Sequence, residues 1–428
     1  MISLVPPQER AILVGTPPKG ARGRTVAEEH LAELARLADT AGARVVASIT
    51  QQLESPDAAT YLGSGKVAEL ATLVAEREAT LIVFDDELSP AQGKNLEAAL
   101  GKRVVDRAEL ILDIFATRAR SAEAKLQVEL AQLEYSLPRL TRLWTHLEKF
   151  RGGIGVRGPG ETQLETDRRL VGQRIRLLKD RLAEVARARV VQRQSRRAAF
   201  RVALVGYTNA GKSSVLRALS DDTDVFVEDR LFATLDALTR EVAVDDKHTV
   251  LVTDTVGFIR KLPHHLVASF RATLEEVREA DTLVHVIDAS HPSWEDHRFV
   301  VDTVLHELGM HDVPVIHAFN KIDALEPDVA QALRERIDNL LPGSVFVSAV
   351  TPNGLAPLKE ALLRAVLATR PVVELRVPIS DGRLLAEVYR EVEVLDRRSD
   401  DGSLVLRVRA EPAAVGRLTA RGAVEGRS

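Results

Sequence analysis

The chain has 428 residues, 45% of them apolar and 28% charged, with no cysteine and a formal charge of −4. That length suits about three domains, and the balance is that of a globular rather than a disordered chain; disulfides, thiolate zinc sites and cysteine nucleophiles are excluded. No run approaches the roughly 18 consecutive apolar residues of a membrane span, and MISLVPPQERAILVG has neither the basic start nor the long apolar core of a secretory signal, so a soluble cytoplasmic protein is expected.

Residues 1–120 alternate short apolar runs with helical patterns: AILVG, TVAEEHLAELARLADTAG, RVVASI, VAELATLVAERE, LIVFDD, AQGKNLEAAL and RVVDR. This order predicts a small α/β domain with a mostly parallel sheet. Thr25 and Glu28 fit a capping box at the first helix. Within YLGSGKVAEL, the run Gly63-Ser64-Gly65-Lys66 looks like a phosphate loop, but Thr60 replaces its first glycine and Val67 its hydroxyl residue.

Residues 121–199 read as an antiparallel helical hairpin. Leu126, Leu130, Leu133, Leu137, Leu140, Trp144 and Leu147 recur at steps of four and three, and Leu164, Val171, Ile175, Leu178, Leu182 and Val185 repeat the stripe. Arms of about 25 residues would reach roughly 37 Å. Pro138 interrupts the first stripe, which predicts either a kink or two shorter helices. Between the stripes lies RGGIGVRGPGETQLETDRR, within which Thr162 and Glu165 can cap the start of the second helix. From Arg139 to Arg201 there are 17 Lys+Arg against 6 Asp+Glu, a balance of +11 that leaves −15 for the rest of the chain. So local a positive charge indicates a polyanion met by this region alone, or a solvated helix face.

In residues 200–370 strands and helices alternate again. The strand Val202–Val205 runs into Gly206-Tyr207-Thr208-Asn209-Ala210-Gly211-Lys212-Ser213-Ser214, the G-x-x-x-x-G-K-S phosphate loop in strand–loop–helix context. Its amides and the helix N-terminus suit phosphate, Lys212 suits the β and γ phosphates, and Ser213 suits Mg2+. HTVLVTDTVGF sets Asp254, Thr255, Val256 and Gly257 after an apolar strand, an acid for Mg2+ and an amide for the γ-phosphate. VPVIHAFNKID supplies Asn320, Lys321 and Asp323, whose carboxylate can accept from guanine N1–H and its exocyclic amine and so select GTP over ATP. VFVSAV can bring the Ala349 amide, supported by Ser348, to guanine O6. Residues 371–428 suggest a small α+β domain.

This constellation resembles the translation-factor class of P-loop GTPases. In that class a first-switch threonine ligates Mg2+, a task for which DRLFATLDALTR offers Thr234, beside Phe232 and Ala233. The resemblance therefore implies Lys212, Thr234 and Gly257 as catalytic residues and Ser213, Thr234 and Asp254 as metal ligands. Phe258 stands where small signalling GTPases carry a water-orienting glutamine, which implies slow intrinsic hydrolysis and an external trigger worth about 10³–10⁵ in rate. Asn209 is compatible with a bound potassium ion or with an ordinary polar loop position.

The order of α/β domain, hairpin with GGIGVRGPGETQLETDRR, then GYTNAGKSS, LFATLD, DTVGF and NKID, resembles the HflX family across nearly the whole chain. Ser214 replaces a common threonine, and Ala237-Leu238 a usual Pro-Thr. The resemblance implies a monomer that binds GTP and GDP, engages the large ribosomal subunit and its rRNA, and dissociates stalled or idle ribosomes. Arg151, Arg157, Arg168 and Arg169 are compatible with RNA phosphates, with glycines and Pro159 allowing close approach. The alternatives are a GTPase assisting ribosome assembly or RNA modification, and a nucleotide-gated RNA-binding module with incidental hydrolysis.

Overall fold

A computed structural model describes residues 8–17, 19, 21–140, 163–194, 199–220, 231–262, 277–310, 312–400, 402–410 and 412–426. The first unit runs β1 (Arg10–Gly15), α1 (Ala21–Thr40), β2 (Arg44–Thr50), α2 (Ser64–Glu76), β3 (Leu81–Phe84), α3 (Pro90–Leu100), β4 (Arg103–Asp106) and α4 (Arg107–Arg118). Its strands pair in parallel in the order β2-β1-β3-β4. Ala11–Gly15 and Leu81–Phe84 are buried throughout, as strands covered by helices on both faces must be. Ser89 and Gln92 form a reciprocal capping box at α3, which Gly101 closes in a left-handed conformation. The helix α1 already begins at Ala21, so Thr25 lies inside it and not at the N-cap position expected of it. The glycine-lysine run of YLGSGKVAEL opens α2, where Lys66 pairs with Glu69 at 2.9 Å.

α5 (Ala122–Ser136) is capped by Ser121 and stops ahead of Pro138, which sits in a 3₁₀ turn at Leu137–Arg139. α5 therefore does not run through Pro138 as one kinked helix, and the residues in which a second short helix was expected lie outside the described ones. α6 (Gln163–Gln194) has 32 residues and α5 has 15. They share a seam of Leu130, Ile175 and Leu178, flanked by Leu126, Leu133, Leu137, Val171 and Leu182. Arg174 pairs with Glu129 at 2.6 Å and Lys179 with Glu134 at 2.8 Å alongside it. Trp144, Leu147 and Thr162 lie outside the described residues.

The third unit contains β5 (Phe200–Gly206), α7 (Lys212–Ser220), β6 (Leu238–Ala243), β7 (Thr249–Asp254), β8 (Thr282–Asp288), α8 (Trp294–Glu307), β9 (Val315–Asn320), α9 (Pro327–Leu340), β10 (Val345–Phe346) and α10 (Ala356–Thr369). Its sheet order is β10-β9-β8-β5-β7-β6, parallel except for the edge strand β6. Last come β11 (Val372–Pro378), α11 (Gly382–Glu391), β12 (Glu393–Asp400), β13 (Ser403–Arg409), α12 (Pro412–Ala420) and β14 (Val424–Gly426). These strands form an antiparallel sheet over a core that includes Leu375, Val388, Leu406 and Leu418. Among the described residues no helix is long and apolar enough to cross a membrane.

Candidate functional site

β5 is buried from Val202 to Gly206 and delivers the following loop to the carboxyl end of the sheet, where open α/β folds place their ligand crevices. Gly206 takes φ 153° and Gly211 φ 93°. Neither could be any other residue: a Cβ on Gly206 would strike the Val286 carbonyl oxygen, and one on Gly211 the Asn320 amide. Asn209 is also left-handed, at φ 61°, a conformation that asparagine tolerates. Asn320 braces the loop from β9, donating to the Ala210 carbonyl at 3.0 Å, and Lys321 donates to the Asn209 carbonyl at 2.9 Å and to Asp288 at 2.8 Å.

Lys212 is buried, with Nζ donating to the Gly206 and Tyr207 carbonyls at 3.2 and 3.0 Å. Burial, partly opposed by the charge of Asp254, brings its pKa down to about 8. The Ser213 hydroxyl donates to Asp254 Oδ2 at 2.6 Å and lies 2.8 Å from Thr234 Oγ1. Three side chains from α7, β7 and the segment before β6 thus bring hard oxygens to one point. Asp254 is fully buried and its Oδ1 has no hydrogen-bond partner; burial pushes its carboxyl above the usual range against the pull of Lys212. An oxygen set of this kind, with an unpartnered carboxylate oxygen, fits Mg2+.

The DTVGF segment is fastened to the loop by its backbone. Thr208 N–H donates to the Phe258 carbonyl at 2.7 Å and Phe258 N–H to the Gly206 carbonyl at 3.1 Å. Phe258 is buried in the core, so its side chain is directed away from the cleft. A Cβ on Gly257 would lie 2.7 Å from Thr208 Cα, so only glycine lets the chain pass there. Thr255 is buried and donates to the Leu204 carbonyl at 2.7 Å, and Val256 joins the core. Thr208, Asn209, Gly211, Lys212, Ser213, Ser214, Phe232, Ala233, Thr234, Thr255 and Gly257 line one cleft. All were singled out from the sequence.

Beyond the cleft, Asp323 sits in a 3₁₀ turn at Ile322–Ala324 that directly follows β9. Ser348 is buried, and its hydroxyl accepts from the Val350 and Thr351 amides at 3.3 and 3.2 Å, a brace for the loop. The Ala349 amide, expected to face guanine O6, here donates to Asn320 Oδ1 at 3.3 Å. Arg168 and Arg169 are exposed on α6, and Arg168 donates to the Leu140 carbonyl at 3.0 Å. Arg151 and Arg157 lie outside the described residues.

Sequence reasoning named Tyr207 and Phe232 for the nucleotide but missed that they, with Asp236, tie this site to the first unit and to α5. The Tyr207 hydroxyl bonds Glu33 of α1, and its ring stacks on His297 at 3.8 Å between centroids. Phe232, at φ 56°, meets Phe115 of α4 edge-on at 4.7 Å. Asp236 accepts from the Arg120 and Ser121 amides at 3.2 and 3.1 Å, where α5 begins. Asp288 was missed as well, although its place after an apolar strand resembles that of Asp254.

Three family models match consecutive stretches: "GTP-binding GTPase N-terminal" over residues 28–116, "GTP-binding GTPase Middle Region" over 118–196 and "50S ribosome-binding GTPase" over 201–321. The GTPase HflX of Magnetococcus marinus is 47% identical over 415 residues, 96% of this chain and 94% of that protein. The GTPase HflX of Escherichia coli is 44% identical over 385 residues, 89% of each. A solved GTP-binding protein from the archaeon Sulfolobus solfataricus, in complex with GDP, is 23% identical with a TM-score of 0.43, covering 84% of this chain and 99% of that one.

Proposed function

We propose, from the premise that this chain belongs to the HflX family of GTPases, that it uses GTP hydrolysis to control its grip on the large ribosomal subunit and thereby dissociates stalled or idle ribosomes. The observation that carries the nucleotide part of this reading is the meeting of Ser213, Thr234 and Asp254 beside buried Lys212. In it, the Gly206–Ser213 amides and the start of α7 receive the phosphates, and Lys212 sets its charge against the β and γ oxygens. Ser213, Thr234 and Asp254 would hold Mg2+, which when bound neutralises charge on the β and γ phosphates. Gly257 donates its amide to the γ-phosphate, Asn209 is the position suited to potassium, and Asp323 with Ala349 reads guanine.

The described cleft lining offers no carboxylate or imidazole to order the attacking water, and Phe258 is in the core. In this reading ribosome contact orders it. Thr234 lies between Phe232, which packs on α4, and Asp236, which holds the start of α5. Contact of Thr234 with the γ-phosphate would fix both anchors, and its release would loosen them, so nucleotide state reaches the arm through a short segment. In this reading the chain divides into residues 1–120, 121–199, 200–370 and 371–428. Arg151, Arg157, Arg168 and Arg169 carry the RNA contacts, delivered by an α6 whose 32 residues span about 48 Å.

Co-sedimentation with assembled ribosomes tests it. Retention should be strong with GTP or a non-hydrolysable analogue and weak with GDP, and Arg157→Ala with Arg168→Ala should lower ribosome-stimulated turnover. Equal retention in every nucleotide state would overturn the gated grip, and ribosomes that stay assembled would overturn the dissociating role.

A further inference from the structure

We propose that His285, Asp302 and His317 form a site for one divalent transition-metal ion of the zinc type, between β8, β9 and α8. Parallel pairing sets His285 directly beside His317. Strand alternation turns His285 to the same face as Leu283, which packs with Val301 and Leu305 of α8. Asp302 follows Val301 on that helix, so three donors from three elements converge. Their ligand atoms lie within 4.8 Å of one another, and this is the group of that kind found among the described residues.

Two features point to an ion and not to a hydrogen-bonded cluster. His285 is 1% exposed, yet its Nδ1 has no hydrogen-bond partner, a costly state for a buried polar atom. The nearest candidate, Asp302 Oδ1, stands 3.4 Å away. That is long for a charge-assisted hydrogen bond, but two donors each about 2.0–2.2 Å from a tetrahedral zinc are separated by about 3.4 Å. The other carboxylate oxygen of Asp302 is held by Arg298 at 3.2 Å, the kind of outer contact that orients a ligating carboxylate. His317 and Asp302 are only partly buried, which opens the site to solvent and leaves a fourth position for water. Two imidazoles with one carboxylate favour zinc, cobalt or nickel over Mg2+. The site is distinct from the cleft, although His285 pairs with Val205 just ahead of the phosphate loop.

Cobalt titration of the full chain, with Mg·GDP saturating the nucleotide cleft, tests the proposal. The expected result is one Co2+ per chain with the intense visible absorption of four-coordinate cobalt, displaced by Zn2+. His317→Ala and Asp302→Ala, at partly exposed positions, should each weaken binding by about tenfold or more. His248→Ala, in the separate His248–Asp245 pair, should bind as the unaltered chain does. Absence of a four-coordinate band in the unaltered protein, a weak six-coordinate band only, or a band that persists in both variants would overturn it. Should either variant fold poorly, the unaltered chain still decides, because Zn2+ must raise its melting temperature in the presence of Mg·GDP.

Discussion

With Lys212 on the phosphates as proposed, nucleotide binding should be coupled to a proton. Burial lowers the Lys212 pKa to about 8, while an unfolded chain keeps the lysine proton up to the ordinary 10.5. Between those values the unfolded state holds more protons, so this group makes the nucleotide-free protein more stable as pH rises; below about 8 both states are protonated and its contribution is constant. Phosphates beside Nζ favour the charged form. GTP binding above about pH 8 should therefore take up a proton, and affinity should fall as pH rises further. Calorimetry in buffers of different ionisation enthalpy reads this uptake directly, and no uptake at pH 9 would contradict the assignment of Lys212 to the phosphates. Specificity is a second property of single residues. Asp323→Asn exchanges a two-fold acceptor for a donor and an acceptor, which suits xanthine better than guanine. Losing charge-assisted bonds worth about 1.5–3 kcal/mol should weaken GTP roughly 10–150-fold, with xanthosine triphosphate gaining in competition assays.

At the level of elements, the hairpin rests on few side chains. Leu178 is fully buried against Leu130 and Ile175, so Leu178→Ala should cost about 2–5 kcal/mol of local stability. Hydrogen exchange should rise along α6 more than in the sheet of β5, β7 and β8; equal protection in the variant would mean that the seam does not hold the arm. This seam was legible in the sequence because a helix repeats its buried face every three or four residues. Where α5 would stop was not: Pro138 permitted a kink or two shorter helices, and propensity does not choose between them. The site shows the same division. Strand–loop–helix spacing revealed Gly206–Ser213 and Asp254–Gly257 because backbone geometry within a few residues demands those types. The bond from Tyr207 to Glu33 joins residues 174 apart, and no local pattern encodes it. The start of α1 shows the converse, since the short capping-box motif at Thr25 also fits a position inside a helix already begun at Ala21.

Across the whole molecule, a buried charge network joins the first unit to the segment after DTVGF. Arg107 is enclosed between Glu33 and Asp85, the latter at 2.8 Å, and Lys261 reaches Asp85 and Asp86 at 2.6 Å each. Burial alone would raise both carboxyls. For Glu33 the Arg107 charge and the Tyr207 hydroxyl outweigh it, and for Asp85 the His30 hydrogen bond with the charges of Arg107 and Lys261 does so, leaving both below their ordinary 4.5 and 3.8. Because the folded values are depressed, the stability these groups contribute is fully present above the unfolded values and is lost as pH falls through the folded ones. The folded protein should therefore weaken progressively below about pH 4.5. Arg107→Ala leaves Glu33 buried without its main partner and Asp85 with only His30 and Lys261, a change that costs about 3–5 kcal/mol at neutral pH. It should also raise both carboxyls, so that more of the remaining stability is lost at milder acidity. Urea titrations of the unaltered chain and the variant from pH 7 to pH 3 distinguish this from simple loss of packing. Arg107→Met keeps most of the side-chain volume, so it should reproduce the shifted acid limb if charge is the cause, and behave like the unaltered chain if packing is.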